Sequence, residues 1–202
     1  MSPAQNRGPA VTIWFDPVCP FSWHTARWLR DLAGELELAI DWRLMSLAVL
    51  NEGRELPPPQ QARMRDSRRI GRLMAAIRER HGADAMAAAY FAFGERYLER
   101  SEALDDGMVA QVLDAVDCHD VDAAVMSDTG QDDLVRLSHE AGQSALGESG
   151  GSPIMQIDGR TFFGPVLSGP PAPEMRKALF DAVATLAAVA QFSQLQRPRT
   201  TG

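Results

Sequence analysis

Cys19 and Ser22 are the two residues whose type and spacing best fit a chemical role. Cys19 follows a strand-like segment, residues 11–15, and precedes a helix-like segment, so it falls at a strand-to-helix turn. The free backbone N–H groups and the dipole of a helix N-terminus favour the thiolate form of a cysteine placed there. The sequence therefore predicts a nucleophilic Cys19 with a pKa below about 8.5.

Ser22 occupies the position that a second cysteine takes in a redox C-x-x-C site. A serine cannot form a disulfide, so any thiol that releases an adduct from Cys19 must come from outside the chain. The Ser22 hydroxyl, one helical turn further on, can donate a hydrogen bond to the Cys19 thiolate. The alternative is that Ser22 is a neutral remnant of a lost cysteine.

Two further residues near the turn have two interpretations each, and the second cysteine has one. Asp16 is either a buried acid that accepts protons near the sulfur or a turn residue that caps the bend before Pro17. His24 is either a surface or site-lining residue or a base. Cys118, the second cysteine, is predicted to be small, partly buried and inert.

Composition and charge limit the classes of function. The chain has 202 residues, 45% of them hydrophobic, which is enough for a substantial globular core. Its net charge of −7 is spread along the chain and argues against nucleic-acid or membrane-surface partners. The histidines and cysteines lack the spacing of metal ligands. The polar residues 1–10 predict a disordered lead-in to a cytoplasmic protein with reduced thiols.

The apolar pattern of the first third predicts a β-α-β unit. Strands are expected at residues 11–15 and 38–44, with a helix at 21–32 between them. A loop is predicted at 48–59, since Pro57-Pro58-Pro59 is expected to exclude helix and central strand.

The chain is predicted to be helical from residue 60 to about residue 145, with Asp120 and either Asp128 or Thr129 as helix N-caps. Asp158-Gly159 then lies between two apolar segments, the strongest short signal for a β-hairpin. A last helix is expected at 173–195.

This order of elements predicts an α/β protein with a thioredoxin-like fold. Residues 1–58 and 148–202 would form the thioredoxin-like domain, and residues 59–147 an inserted all-helical lid subdomain. Ser152-Pro153 stands directly before the third strand. In such folds a proline at this point is cis and lies beside the reactive cysteine, where its neighbouring backbone pairs with an incoming thiol substrate.

Four motifs carry a resemblance to a known family. Residues 16–23 (DPVCPFSW) resemble the D-P-x-C-P-W-C-W signature of DsbA-like thioredoxin-fold oxidoreductases. The sequence is more closely similar to the mycothiol-dependent nitroreductase group of actinobacteria. The likeness extends through residues 45–52, 147–153 and 162–168, so it covers nearly the whole chain.

The resemblance implies a function and a set of site residues. It implies a homodimer in which Cys19 is the nucleophile and mycothiol, a low-molecular-weight thiol, supplies electrons without any tightly bound cofactor. It also implies that Pro153 is the cis proline, that Phe21 replaces an active-site Trp, and that Asn51 lies in a loop facing the site. Pro20 and Ser152 complete the predicted thiol-binding residues.

Three functions follow from these patterns. The first is a monothiol oxidoreductase in which Cys19 attacks a disulfide or an electrophilic substrate and an external thiol releases the adduct. The second is an enzyme similar to kappa-class glutathione transferases or 2-hydroxychromene-2-carboxylate isomerases, in which Ser22 activates a bound thiol. The third is a degenerate site that only binds a ligand or partner.

Overall fold

A mixed β-sheet forms the centre of the molecule. The computed structural model describes residues 9–198, and within them the sheet has four strands in the order β2-β1-β3-β4. The strands are β1 (Ala10–Phe15), β2 (Ala39–Leu44), β3 (Ile154–Ile157) and β4 (Arg160–Phe163). β1 pairs in parallel with β2 and antiparallel with β3, which in turn pairs antiparallel with β4. The predicted β-α-β unit and hairpin are therefore confirmed, whereas most of the predicted lead-in lies outside the described residues.

Helices account for most of the remaining chain. Helix α1 (Pro20–Ala33) connects β1 to β2, and α6 (Arg176–Ala188) follows the hairpin after a short 3₁₀ turn. The helices between β2 and β3 are α2 (Leu47–Leu50), α3 (Pro58–Gly94), α4 (Asp106–Ala115) and α5 (Asp132–Leu146). A π-helical turn, Glu95–Glu99, continues α3. Helix α3 is interrupted at Gly82, whose φ of 89° is a conformation that side-chain-bearing residues rarely adopt.

Several predicted boundaries are wrong. The predicted loop 48–59 contains most of α2, and α3 begins inside the proline run at Pro58. Prolines are tolerated there because the N–H groups of a first helical turn have no intrahelical partner. The last helix ends at Ala188 rather than 195, and Phe192 and Leu195 beyond it stay exposed, so no burial stabilises a longer helix.

The predicted N-caps are partly right. Asp128 accepts a hydrogen bond from Gly130 N and caps a 3₁₀ turn. Asp120 does not act as a cap, and Asp122 instead caps the turn Ala123–Ser127. The prediction therefore misplaced this cap by two residues.

The sheet and the helices after β2 share one hydrophobic core. Phe15 of β1 stacks on Tyr90 of α3 with ring centroids 3.9 Å apart, and Trp42 of β2 meets Phe91 edge to face at 5.3 Å. Helix α1 turns its own buried face towards the same core; the buried residues include Trp23, Ala26, Trp28, Leu29 and Leu32. The turn at residues 16–19, here called the active-site turn, joins β1 to α1. It is thus packed between β1 and α3, which fixes its position.

Within residues 9–198 no helix combines the length and the apolar character required to cross a membrane.

Gly94 offers a test of the contact between α1 and α3. A Cβ at Gly94 would overlap the Trp23 ring, whereas a Cβ at Gly34, just after α1, would meet no atom within 4 Å. We expect Gly94→Ala to lower the free energy of unfolding by about 1–3 kcal/mol, because an overpacked core must move. Urea denaturation measures this change.

The matched control is Gly34→Ala, which should leave stability unchanged or raise it by up to about 1 kcal/mol. Equal stability of the two variants would contradict a rigid contact between Gly94 and Trp23.

Candidate active site

Asp16 is the most heavily bonded residue at the end of β1. Its carboxylate is fully buried and accepts hydrogen bonds from Val18 N at 2.9 Å, Leu47 N at 2.6 Å and Ser67 Oγ at 2.5 Å. These donors belong to the active-site turn, α2 and α3. Asp16 therefore caps the turn, as one interpretation of the sequence has it, and is also a buried acid, as the other has it.

Burial dominates the ionisation of Asp16. Loss of water raises the pKa of this carboxyl above its ordinary value, although the Ser67, Leu47 and Val18 donors and the charge of Arg63 act in the opposite direction. Asp16 can therefore hold a proton at a higher pH than an exposed aspartate does.

Cys19 lies at the start of α1, as the sequence predicts. It is the N-cap residue, with an extended backbone, and its own N–H donates to Asp16 O at 3.0 Å. The side chain is only 4% exposed. Its Sγ donates a hydrogen bond to the carbonyl oxygen of Ser152 at 3.5 Å, so the resting sulfur is held as a thiol.

The predicted lowering of the Cys19 pKa is wrong. Burial raises the pKa of the Cys19 thiol, and the negative charge of Asp16 adds to the effect. The backbone N–H and hydroxyl of Ser22 and the N–H of Phe21 favour the thiolate, as expected at a helix start, but they do not offset the lost hydration. The sequence shows the helix N-terminus but not how deeply the sulfur is buried.

Ser22 and Ser152 form a hydrogen-bonded pair beside the sulfur. Their hydroxyl oxygens are in direct contact, and Ser152 Oγ also accepts the Asp16 N–H at 2.8 Å. When Ser152 donates its own proton to Ser22, the Ser22 hydroxyl is free to donate to Cys19. Three successive hydrogen bonds then connect Asp16 N to Ser152, Ser152 to Ser22, and Ser22 to the Cys19 sulfur.

The other predicted site residues differ in how close they lie to Cys19. The Ser152–Pro153 peptide is cis, as predicted, and a second cis peptide, Gly164–Pro165, was not foreseen. Pro20 and Phe21 are the first two residues of α1, next to Cys19.

Asn51 is the C-cap residue of α2. Its Nδ2 donates a hydrogen bond to Leu47 O at 2.8 Å and lies 3.8 Å from Met64 Sδ. Its recorded contacts connect α2 with α3 and do not reach the sulfur.

Sequence reasoning missed Ser46 and Ser67. Ser67 precedes Ile70 and Met74 by three and seven residues, which places it on the apolar face of α3 and was a readable signal. Tyr90 is fully buried, and its hydroxyl has no hydrogen-bond partner within residues 9–198. Burial raises the pKa of Tyr90 well above its ordinary value, so it remains a phenol.

The remaining candidates are less prominent. His24 is half-buried, and burial lowers its pKa, so it is neutral at physiological pH. The Cys118 thiol donates to Val116 O at 3.5 Å after the end of α4 and is not paired with Cys19. In the described part of the chain, no group of three His, Cys, Asp or Glu side chains could hold a metal ion.

The ionisation of Cys19 can be measured by its alkylation rate against pH. In a Cys118→Ser background we expect a midpoint above the value of about 8.5 for an exposed cysteine, because burial disfavours the thiolate. Ser22→Ala should move the midpoint further up, since the hydroxyl donor is lost and only the backbone N–H groups of Phe21 and Ser22 remain. Asp16→Asn should move it down, since a neighbouring negative charge disappears. A wild-type midpoint at or below 8.5 would contradict the buried-thiol description.

Comparisons with known proteins give the same assignment. Residues 18–197 match the family described as "Rv2466c-like: Mycothiol-dependent nitroreductase Rv2466c". The "Uncharacterized protein Rv2286c" of Mycobacterium tuberculosis (strain ATCC 25618 / H37Rv) is 32% identical over 193 residues, which are 94% of this chain and 82% of the relative.

Solved structures confirm the fold. A periplasmic thioredoxin-like protein from Salmonella enterica serovar Typhimurium superposes with a TM-score of 0.58 at 13% identity, covering 91% of this chain and 86% of the other. A 2-hydroxychromene-2-carboxylate isomerase gives 0.57 at 18% identity, covering 88% and 95%. The predicted DsbA-like, thioredoxin-like α/β fold is therefore confirmed. On the evidence of the family match and the curated relative, this chain belongs to the Rv2466c-like family of mycothiol-dependent nitroreductases.

Proposed function

We propose that this protein is a monothiol oxidoreductase that uses Cys19 as its nucleophile and a low-molecular-weight thiol, mycothiol or a similar compound, as co-substrate. The observation that carries the proposal is the position of Cys19 at the start of α1, bonded to Ser152 beside the cis Pro153, with Ser22 where a resolving cysteine would stand. The family description supports mycothiol-dependent reduction of nitro substrates. We infer disulfide substrates from the thiol chemistry of Cys19.

With a disulfide substrate the reaction consists of two thiol–disulfide exchanges at Cys19. In the first, Cys19 attacks one sulfur of a disulfide; a new S–S bond to Cys19 forms, the old one breaks, and the departing sulfur leaves as a thiol with the proton that Cys19 gave up. In the second, the external thiol attacks the adduct, forms a disulfide with the bound group and returns its proton to the Cys19 sulfur. No internal cysteine is required.

Each neighbouring residue has a role in this cycle. Ser22 and the N–H groups of α1 stabilise the thiolate, and the Ser152 carbonyl holds the proton of the resting thiol. The backbone beside Pro153, with Pro20 and Phe21, would pair with the incoming thiol compound.

Because the sulfur is buried, substrate entry requires the residues that cover it to move. We assign that movement to residues 59–147, as a lid on a domain made of residues 1–58 and 148–202. Homodimerisation and a cytoplasmic location stay predictions of the sequence.

The transferase alternative depends on Ser22. Its hydroxyl is fully buried and already engaged by Ser152, so in this arrangement it assists Cys19 and does not face open solvent. An enzyme of that kind would need Ser22 to contact the bound thiol directly.

Adduct formation tests the proposal directly. Incubation of the Cys118→Ser protein with oxidised mycothiol or oxidised glutathione should give one adduct by intact mass, and added thiol should remove it. Ser22→Ala should slow adduct formation at neutral pH about twofold to tenfold, the equivalent of one hydrogen bond of about 0.5–1.5 kcal/mol.

Cys19→Ser separates the three functions. It should abolish both the adduct and thiol–disulfide exchange, whereas transferase activity that survives this substitution would favour the role of Ser22. Absence of any adduct on the protein with Cys19 intact would favour a module that only binds.

Ser22→Cys tests whether position 22 faces the sulfur. We expect the variant to form an internal disulfide with Cys19 under oxidising conditions, seen as loss of two thiol hydrogens by mass spectrometry, and to release adducts without external thiol. The control is Thr25→Cys, about one helical turn further along α1, because the Thr25 Oγ faces the carbonyls of Phe21 and Pro165. Equal disulfide formation in both variants would contradict the assigned geometry.

A further inference from the structure

Two buried serine hydroxyls connect Asp16 to a surface cleft. Ser67 Oγ donates to Asp16 Oδ2 at 2.5 Å, and Ser46 Oγ lies 3.5 Å from Ser67 Oγ. All three residues are at most 2% exposed. Ser46 also lines a cleft of about 280 Å³ whose other residues include Glu52, Arg68, Arg72, Asp132 and Arg136. The series therefore runs from the carboxylate at the active-site turn to the cleft.

The backbone of α2 fixes how these hydroxyls bond. Ser67 Oγ accepts Ala48 N–H and Ser46 Oγ accepts Val49 N–H, both at 3.2 Å. A hydroxyl has one donor and two acceptor sites, so each serine keeps one donor and one acceptor for the series. Because Ser67 donates to Asp16, its remaining acceptor is available to the Ser46 hydroxyl. The donors thus point from the cleft towards Asp16.

Asp16 has a reason to exchange protons when Cys19 reacts. Its negative charge opposes ionisation of Cys19, so the thiolate forms more easily once the carboxyl is protonated. Two of the three donors to the carboxylate are backbone N–H groups, which do not relay protons. Ser67 is the hydroxyl among these bonds.

Other titratable groups face the series from each packed element. Arg63 of α3 favours the charged form of Asp16, and the phenols of Tyr90 and Tyr97 lie close enough to feel its charge. His139 of α5 accepts the Ser46 N–H through Nδ1 at 3.3 Å, and burial lowers its pKa, so it is neutral. None of these groups is hydrogen-bonded between Asp16 and Ser46.

We propose that Ser46 and Ser67 form a proton path through which Asp16 takes up a proton from the cleft when Cys19 becomes a thiolate. The inference rests on the proposed role of Cys19 as the nucleophile. In the first exchange the Cys19 proton leaves with the departing thiol, while Asp16 gains one proton from cleft water. Asp16 returns that proton to the cleft once the Cys19 sulfur is neutral, as the mixed disulfide. In the second exchange the proton of the incoming thiol ends on Cys19, and Asp16 again holds a cleft proton only while Cys19 is a thiolate. Ser46 and Ser67 act through Asp16 and are positioning residues.

Ser67→Ala separates the path from a simple hydrogen bond. Removing a donor to the carboxylate makes Asp16 easier to protonate, so on equilibrium grounds alone Cys19 should alkylate at a lower pH and exchange should quicken. Loss of a path has the opposite effect on rate. We expect multiple-turnover exchange of oxidised glutathione with isotopically labelled glutathione to slow at least about tenfold, a threshold below the roughly 100- to 10,000-fold that assisted proton transfer contributes, while the alkylation midpoint does not rise.

Further variants keep the test independent of folding. Ser46→Gly breaks the outer end of the series without touching Asp16, and glycine at an N-cap costs only a few tenths of a kcal/mol, so similar slowing is expected. Ser67→Thr keeps the hydroxyl and should restore the wild-type rate. Ser138→Ala is the matched control, because Ser138 Oγ donates to Leu44 O at 2.7 Å outside the series. Urea denaturation of each variant confirms that it is folded.

A second readout does not depend on exchange activity. After a rapid pH drop, infrared spectroscopy follows protonation of the Asp16 carboxyl, whose band is identified by its loss in Asp16→Asn. We expect protonation in Ser67→Ala and Ser46→Gly to be at least about tenfold slower than in wild type, in line with loss of assisted transfer. Wild-type rates in both variants would overturn the path. Failure of wild-type Cys19 to form any adduct would overturn the proposed function instead, whatever the infrared result.

Discussion

The burial of one carboxylate organises the region around Cys19. Asp16 directly follows β1 inside the core, where an unpaired charge would be strongly destabilising, so its carboxylate oxygens require hydrogen-bond donors. They find them on three separate segments: the turn at Val18, the start of α2 at Leu47, and Ser67 of α3. These bonds hold the turn, the short helix and the long helix in one arrangement. The position of Cys19 follows, because its own N–H bonds to the carbonyl of Asp16.

The negative charge of the same carboxylate disfavours formation of the Cys19 thiolate. A helix N-terminus and two donors from Ser22 would ordinarily make Cys19 acidic. Burial and the nearby Asp16 oppose them, and the sulfur rests as a thiol on the Ser152 carbonyl. The reactivity of Cys19 then depends on the substrate that enters the site and on whether Asp16 becomes protonated, rather than on a permanently ionised sulfur.

Local patterns were sufficient to predict the fold and the place of Cys19. The alternation of apolar residues in β2, the Asp158-Gly159 turn and the Ser152-Pro153 pair are all short-range signals, and each has its counterpart in the structure. The ionisation of Cys19 was predicted in the wrong direction, because it depends on how completely the folded chain excludes water from the sulfur. The partners of Asp16 were beyond prediction for a related reason. Leu47 and Ser67 are 31 and 51 residues away in sequence, and only packing brings them to it.

The thiol that rests on the Ser152 carbonyl also bears on oxidative damage. Peroxides attack thiolates, and a cysteine without a neighbouring thiol has no internal means of rescue once it becomes a sulfenic acid. A sulfur that is protonated and 4% exposed is a poor target for such small oxidants. Burial of Cys19 therefore slows its reaction with every electrophile, and it also spares a site without a second cysteine from irreversible oxidation between turnovers.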